Sequence, residues 1–317
     1  MTINTAQIVY VVAPSGTGKS FTGDYLAVVH GFEHVDGDWP LKHSNIPENA
    51  ELSRNTMIPL LTSGGFKEDE KHLWGGYFEK IANMTVEAAQ THDRVVLSHA
   101  TFDQPTRDVV IDTLLSSGIK KEQITVIQLT IDKAVLTAGI YERFKRQAGQ
   151  IGMTFTEAFG PIADPRMEWE GEITKETYVN FYVSVADPFG CFADDPAAIK
   201  VDVSSRGVAH FDGIDTALGL TRDNSLSYEE ICKKVLPLDA KRDEEAIACG
   251  GFKVMCEIAT EAEAISKACE LESKEKEQDE VELAKMKRRR SSLKGLKDQM
   301  DSLRMMSTRS LEEVLEE

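Results

Sequence analysis

The segment Ala13-Pro14-Ser15-Gly16-Thr17-Gly18-Lys19-Ser20 constrains this chain more than any other. It follows the apolar run Ile8-Val9-Tyr10-Val11-Val12 and precedes a helix-compatible stretch from Phe21 to Val29. A buried strand, a glycine-bearing turn and a helix in that order make a phosphate-binding loop, which begins an α/β sheet. Backbone N–H groups around Gly16 and Gly18 can point at phosphate oxygens, and the helix N-terminus adds favourable partial charge. Ala13, Ser15 and Thr17 complete the expected cradle. Lys19 is placed to neutralise the β and γ phosphates of ATP, and the Ser20 hydroxyl to ligate Mg2+. Ala13 stands at the first motif position, where glycine is usual.

Short apolar runs recur after this motif, with helical patterns between them. Ile8–Val12, Glu33–Asp36, Arg94–Ser98, Ile124–Leu129 and Ala198–Val203 read as strands, mostly apolar as in a sheet covered on both faces. Leu73–Gln90, Thr106–Ser116 and Lys133–Gln147 read as helices, the last capped by Thr130 or Asp132. Strand alternating with helix predicts a parallel sheet in an α/β three-layer sandwich. Ligands in such sheets sit at the carboxyl ends of the strands, where the motif, Asp36, Ser98 and Ser204 fall. Residues 149–196 carry Gly160-Pro161, Asp164-Pro165, Asp187-Pro188 and Asp195-Pro196 and are too long for a plain connection, so a lid or insertion is expected there. Composition shifts after Pro237. Residues 1–238 read as the nucleotide-binding domain and 239–317 as a charged helical tail, with Ile247, Val254, Ile258 and Ile265 at helical spacing. That stripe either packs on the core or serves self-association or a protein partner.

The chain has 317 residues and an apolar fraction of 41%, enough for a substantial core. Its formal charge of −17 argues against a general nucleic-acid or anionic-membrane binder. No secretory signal or membrane-spanning run is evident. The five cysteines form no C-x-x-C pair, which suits a reducing compartment, and a cytoplasmic location is expected.

Asp36-Gly37-Asp38 follows the second strand. Two carboxylates there face the phosphate loop, so one can hold Mg2+ or accept a hydroxyl proton while the other orients that hydroxyl. An ordinary Asp-Gly turn has the same sequence. His99, at the end of the third strand, reads either as a base or as a polar group beside the core. Trp39 and Trp74 read as packing residues.

These motifs resemble the small-molecule kinases of the gluconate kinase and shikimate kinase group, within the nucleoside monophosphate kinase fold. The resemblance rests on the phosphate loop, Asp36-Gly37-Asp38, Asn45-Ile46 with Thr56-Met57, and Gly65 to Trp74, in which Lys71 replaces an arginine. It continues in His99-Ala100, Arg107-Asp108, Glu142 to Arg146 and Gly152-Met153, and ends near residue 206. The chain departs from gluconate kinases at Trp39-Pro40-Leu41 and over 155–196. The resemblance implies a P-loop three-layer sandwich and ATP-dependent transfer of the γ-phosphoryl group to a hydroxyl of a small metabolite, a sugar acid such as gluconate being favoured. It implies Lys19, Asp36 and Arg143 as catalytic and Asp36 with Ser20 as the Mg2+ ligands. It also implies Asp38 and Arg107 on the acceptor, Arg143 and Arg146 over the phosphates, and Ser204 and Ser205 beside adenine. A nucleotide-binding regulatory or scaffold protein whose tail recruits a partner is the alternative. Arg288-Arg289-Arg290-Ser291-Ser292 resembles a site for basophilic protein kinases.

Overall fold

The computed structural model describes residues 6–63, 65–100, 103–150, 152–158, 172–178, 195–205, 207–223 and 226–274, with 276 and 285. The chain divides into two compact units, Met1–Ala264 and Ile265–Glu317. In the first, five parallel strands run β1 (Gln7–Val12), β2 (Glu33–Asp36), β3 (Arg94–His99), β4 (Ile124–Thr130) and β5 (Ile199–Asp202), in the spatial order β2-β3-β1-β4-β5. Each lies within a residue or two of its sequence-based bounds. Helices are α1 (Lys19–His30), α2 (Trp39–Lys42), α3 (Pro47–Ser63), α4 (Lys71–Ala89), α5 (Gln104–Ser116), α6 (Lys133–Gln150), α7 (Val208–Leu218) and α8 (Tyr228–Ala248).

The pleat of β1 divides the core. Ile8, Tyr10 and Val12 face a cluster with Trp74, Phe78, Val110 and Leu114 from α4 and α5. Val9, Val11 and Ala13 face Tyr25, Leu26, Phe211, Ile214 and Val235 from α1, α7 and α8. All of β1 beyond Gln7 is buried, because a central parallel strand is covered on both sides. These two helical layers and the sheet make the three-layer P-loop sandwich. Trp74 is fully buried, its indole N–H donating to Lys67 O at 2.9 Å, whereas Trp39 stacks on His43.

Strand register fixes the site's floor. Asp36 pairs with Ser98 and Val12 with His99, so the phosphate loop, the Asp36–Asp38 turn and His99 emerge side by side. Helix α6 starts on the Asp132 cap, whose Oδ1 accepts N–H groups of Ala134 and Val135. Leu136, Ile140 and Tyr141 of α6 form a third cluster with Phe155, Ile173 and Tyr178. Most of the lid expected over 149–196 lies outside the described residues, as do Arg288–Arg290, Ser291 and Ser292.

The division expected at 238/239 falls inside α8, which passes through Pro237 without ending. The helix continues because its face packs on α1 and α2, and tertiary packing outweighs one lost N–H donor. Residues 251–264 are again helical, with Ile258, Ala259 and Ala262 buried, so this part of the apolar stripe belongs to the first unit's core. In the second unit residues 265–274 are helical, and Leu271 is exposed. No helix among the described residues is long and apolar enough to cross a membrane.

Candidate active site

The phosphate loop is shaped by two glycines in the left-handed region, Gly16 at φ 82° and Gly18 at φ 102°. A Cβ on Gly16 would lie 2.2 Å from Ile140 Cγ1, so α6 is seated directly on the loop. The Thr17 hydroxyl donates to Pro14 O at 2.8 Å, and Lys19 Nζ donates to the same carbonyl at 2.9 Å. Lys19 is buried, and burial lowers its ammonium to about 8 although Asp38 and Asp36 oppose the shift. Its single protein hydrogen bond among the described residues leaves donor capacity for an anion. Ser20 is half-buried in the first turn of α1, and Ala13 packs in the core beneath.

Two acids after β2 have different surroundings. Asp36 Oδ1 accepts the Asp38 N–H at 3.0 Å, while Oδ2 pairs with Lys42 and lies 3.7 Å from Arg242 Nε. Burial alone would raise the Asp36 carboxyl; Lys42, His34 and Arg242 override it and hold it far below the usual carboxylate range. Asp38 is more open and stands 3.5 Å from His99 Nε2. His99 Nδ1 is buried without a hydrogen-bond partner, and burial lowers the imidazole so that it is neutral at pH 7. Gly37 is required between the acids because a Cβ there would meet His99 Cβ at 2.6 Å. The Tyr77 hydroxyl donates to Gly37 O at 3.0 Å and fixes the turn from the far side.

Behind this turn runs a buried chain of polar contacts. His34 Nε2 meets Ser98 Oγ and His34 Nδ1 meets Asp24 Oδ1, both at 2.9 Å. Asp24 takes the Arg242 guanidinium on both oxygens, and Arg242 reaches Asp36. Burial would raise Asp24, but His34 and Arg242 hold it low. A Cβ on Gly23 would strike the His34 ring at 2.3 Å, so Gly23 makes room for this chain.

The neighbouring residue, Asp243, faces the other way. Its carboxylate accepts from Arg143 at 2.8 Å and Gln147 at 3.0 Å and lies 3.5 Å from Arg146. Arg143 Nε is buried without a hydrogen-bond partner. Helix α8 therefore places one cation on the acids and one carboxylate on the arginines.

A cavity of about 300 Å³ opens on Ser15 and Gly16 and holds Asp38, His99 and Arg143 in its wall. Arg107 and Ser204 are not in that wall. Arg107 is buried on α5, its Nε 3.1 Å from Asp195, and its guanidinium donates to Gln104. Ser204 Oγ donates to Asp202 at 2.6 Å and accepts from the Asp132 N–H, tying the turn after β5 to α6. Arg146 is largely exposed at the rim of the arginine cluster.

Sequence reasoning missed Arg242, Asp243, Phe252, Met255 and His210. His210 Nε2 lies 2.8 Å from Thr22 Oγ1, whose hydroxyl donates to Gly18 O behind the loop. All five lie beyond the last matched motif, and only the apolar stripe hinted that residues past 238 join the core.

Ser20 and Asp36 fit Mg2+ as a hydroxyl and a carboxylate beside a phosphate cradle, but Lys42 holds the Asp36 oxygen a metal would need. Among the described residues, no three His, Cys, Asp or Glu side chains are grouped to hold a metal ion.

No protein-family model matches the chain, and no curated protein matches it. Solved structures similar to it include a gluconokinase from Sinorhizobium meliloti 1021, at TM-score 0.35 and 17% identity over 75% of this chain and 97% of that one. A sugar kinase from Janibacter sp. HTCC2649 is similar at TM-score 0.38 and 15% identity, covering 68% of this chain and 96% of the other. Shikimate kinase from Acinetobacter baumannii in complex with shikimate is similar at TM-score 0.35 and 16% identity, with coverage of 68% and 96%. Similarity this distant says nothing of substrate.

Proposed function

We propose that the protein is an ATP-dependent phosphotransferase acting on the hydroxyl of a small molecule. The observation that carries this reading is the buried Lys19 ammonium, with donor capacity to spare, beside Asp38 and Arg143, which line an open cavity. ATP is the donor substrate. Lys19, Arg143 and the loop N–H groups hold the γ-phosphoryl group and stabilise charge on its equatorial oxygens. Asp38 accepts the acceptor's hydroxyl proton. The freed oxygen forms a bond to the γ-phosphorus as the bond to the β,γ-bridging oxygen breaks, and ADP leaves with that electron pair. Neutral His99, 3.5 Å from Asp38, keeps the carboxylate aimed at the hydroxyl. Ser20, and Asp36 through a metal-bound water, would hold Mg2+, which would supply charge neutralisation at the phosphates while Lys42 stays on Asp36. Arg146 would close over the phosphates from the lid. Ser204 would border the nucleotide base.

A sugar acid such as gluconate is the acceptor implied by the sequence resemblance; the cavity wall favours a different class. A nucleotide-binding regulatory protein is the second reading, favoured by one observation: α8 ties up both Asp36 and Arg143. ADP release from Mg-ATP across an alcohol panel, with Lys19→Met alongside, separates the two. Acceptor-dependent release lost in the variant supports the kinase. Nucleotide binding with no such release supports the regulator.

A further inference from the structure

We infer that the acceptor carries a single reactive hydroxyl on an apolar body, aromatic or branched aliphatic, and is neither a polyol nor a sugar acid. This rests on the phosphotransfer reading above and narrows it.

The cavity has two unlike ends. At the phosphate loop stand Asp38 and His99, and His99 Nδ1 is buried without a partner. Away from the loop the wall is built from Met57, Leu60, Phe66, Phe144, Phe252 and Met255. These come from α3, α6, the turn before α4 and the helical residues 251–264, so the apolar character is not one element's accident. Gly251 lets the last of these approach: a Cβ there would meet Leu41 O at 2.6 Å and Lys42 Cα at 2.7 Å. Apart from Ser15 at the phosphate loop, the other polar side chains in the wall bond within the protein. Lys42 pairs with Asp36, and the Thr56 hydroxyl donates to Leu52 O at 2.8 Å. The Tyr77 hydroxyl donates to Gly37 O, and Arg143 and Gln147 donate to Asp243.

A polyol seated here would place its further hydroxyls against methionine, leucine and phenylalanine. Each hydroxyl stripped of water and left unpaired weakens binding by about tenfold. An apolar body gains from the same wall, and its one hydroxyl meets Asp38 and His99. A volume of about 300 Å³ suits a compact alcohol. In the reaction the hydroxyl oxygen takes the γ-phosphoryl group, its proton passes to Asp38, and the products are an apolar phosphate monoester and ADP.

The test uses the full chain with Mg-ATP. Benzyl alcohol, 3-methylbut-2-en-1-ol and cyclohexylmethanol are compared with gluconate, shikimate and glycerol, and each phosphate ester is quantified by mass spectrometry. Each alcohol is also titrated calorimetrically into protein saturated with Mg-ADP. The expected result is kcat/KM at least tenfold higher for an apolar alcohol than for any polyol. Met57→Gln and Met255→Gln, both at half-buried positions, should each lower that value about tenfold while the ATP Kd holds. A polyol preferred by tenfold overturns the inference and leaves phosphotransfer standing. Saturable apolar-alcohol binding that both variants weaken, without any ester formed, keeps the ligand class and overturns phosphotransfer. Absence of binding by every apolar alcohol overturns the inference, whatever the polyols do.

Discussion

In the proposed transfer Lys19 holds phosphate and Asp38 takes the proton, and each role has its own signature. The Lys19 ammonium is lowered to about 8 from the usual 10.5, first by burial. A phosphate needs the charged form, so nucleotide Kd is predicted to rise about tenfold per pH unit above about 8, read by calorimetry between pH 7 and 9.5. Stability moves the opposite way. Between about pH 8 and 10.5 the unfolded chain binds the extra proton, so stability in the absence of nucleotide rises across that window, and denaturant midpoints measured there check it. Asp38→Asn removes the proton acceptor and leaves the phosphate cradle, so kcat should fall about 10²–10⁴-fold with ATP Kd within twofold. Asp24→Asn breaks a buried bidentate pair and leaves Arg242 only its longer contacts to Asp36 and Asp239, and should cost about 2–3 kcal/mol in urea unfolding. The motif residues and Asp36-Gly37-Asp38 were legible in the sequence because their spacing is dictated by a strand end and a phosphate. The division of labour between the two acids was not legible. It depends on Lys42 and Arg242, and Arg242 comes from 206 positions further along the chain.

Helices α6 and α8, with the helical residues 251–264, decide how closed the site is. Helix α6 sits on Gly16, and Asp243 of α8 holds Arg143, so in the proposed reaction nucleotide phosphates would compete with a protein carboxylate for one guanidinium. Gly251 is the point where the last helical segment touches the backbone of α2. Gly251→Ala should push this segment off Leu41 and Lys42, costing about 1–3 kcal/mol of stability. Thermal unfolding checks that cost, and the same variant should raise acceptor KM while ATP Kd is retained. Strands were read from sequence within a residue or two because apolar runs with turn signals mark them. Helix α3 was not, since its pattern is weakly amphipathic and includes Pro59. The boundary at 238 followed a shift in composition, whereas α8 follows packing: Ile231 and Val235 lie in the core, and Arg242 eleven positions after Ile231 reaches Asp24.

At the scale of the molecule, the parallel β2-β3-β1-β4-β5 sheet brings residues 13–20, 36–38 and 99 together at the carboxyl ends of its strands, and α8 with the helical residues after it adds 242–255. The last piece lies outside every recognisable motif, yet it supplies Phe252 and Met255 to the cavity and Asp243 to the arginines. Ending the chain at residue 238 should therefore remove acceptor-dependent turnover and lower Tm. Ending it at Ala264 retains every contact described for the site and should preserve turnover. The central claim is transfer of the γ-phosphoryl group to an acceptor hydroxyl at this loop. It is tested most directly by supplying ATP labelled with 18O in its γ-phosphoryl group and following the label by phosphorus NMR. The account predicts labelled phosphate in an acceptor monoester, absent with Lys19→Met; label found only in inorganic phosphate, or left in ATP with every acceptor, would contradict it.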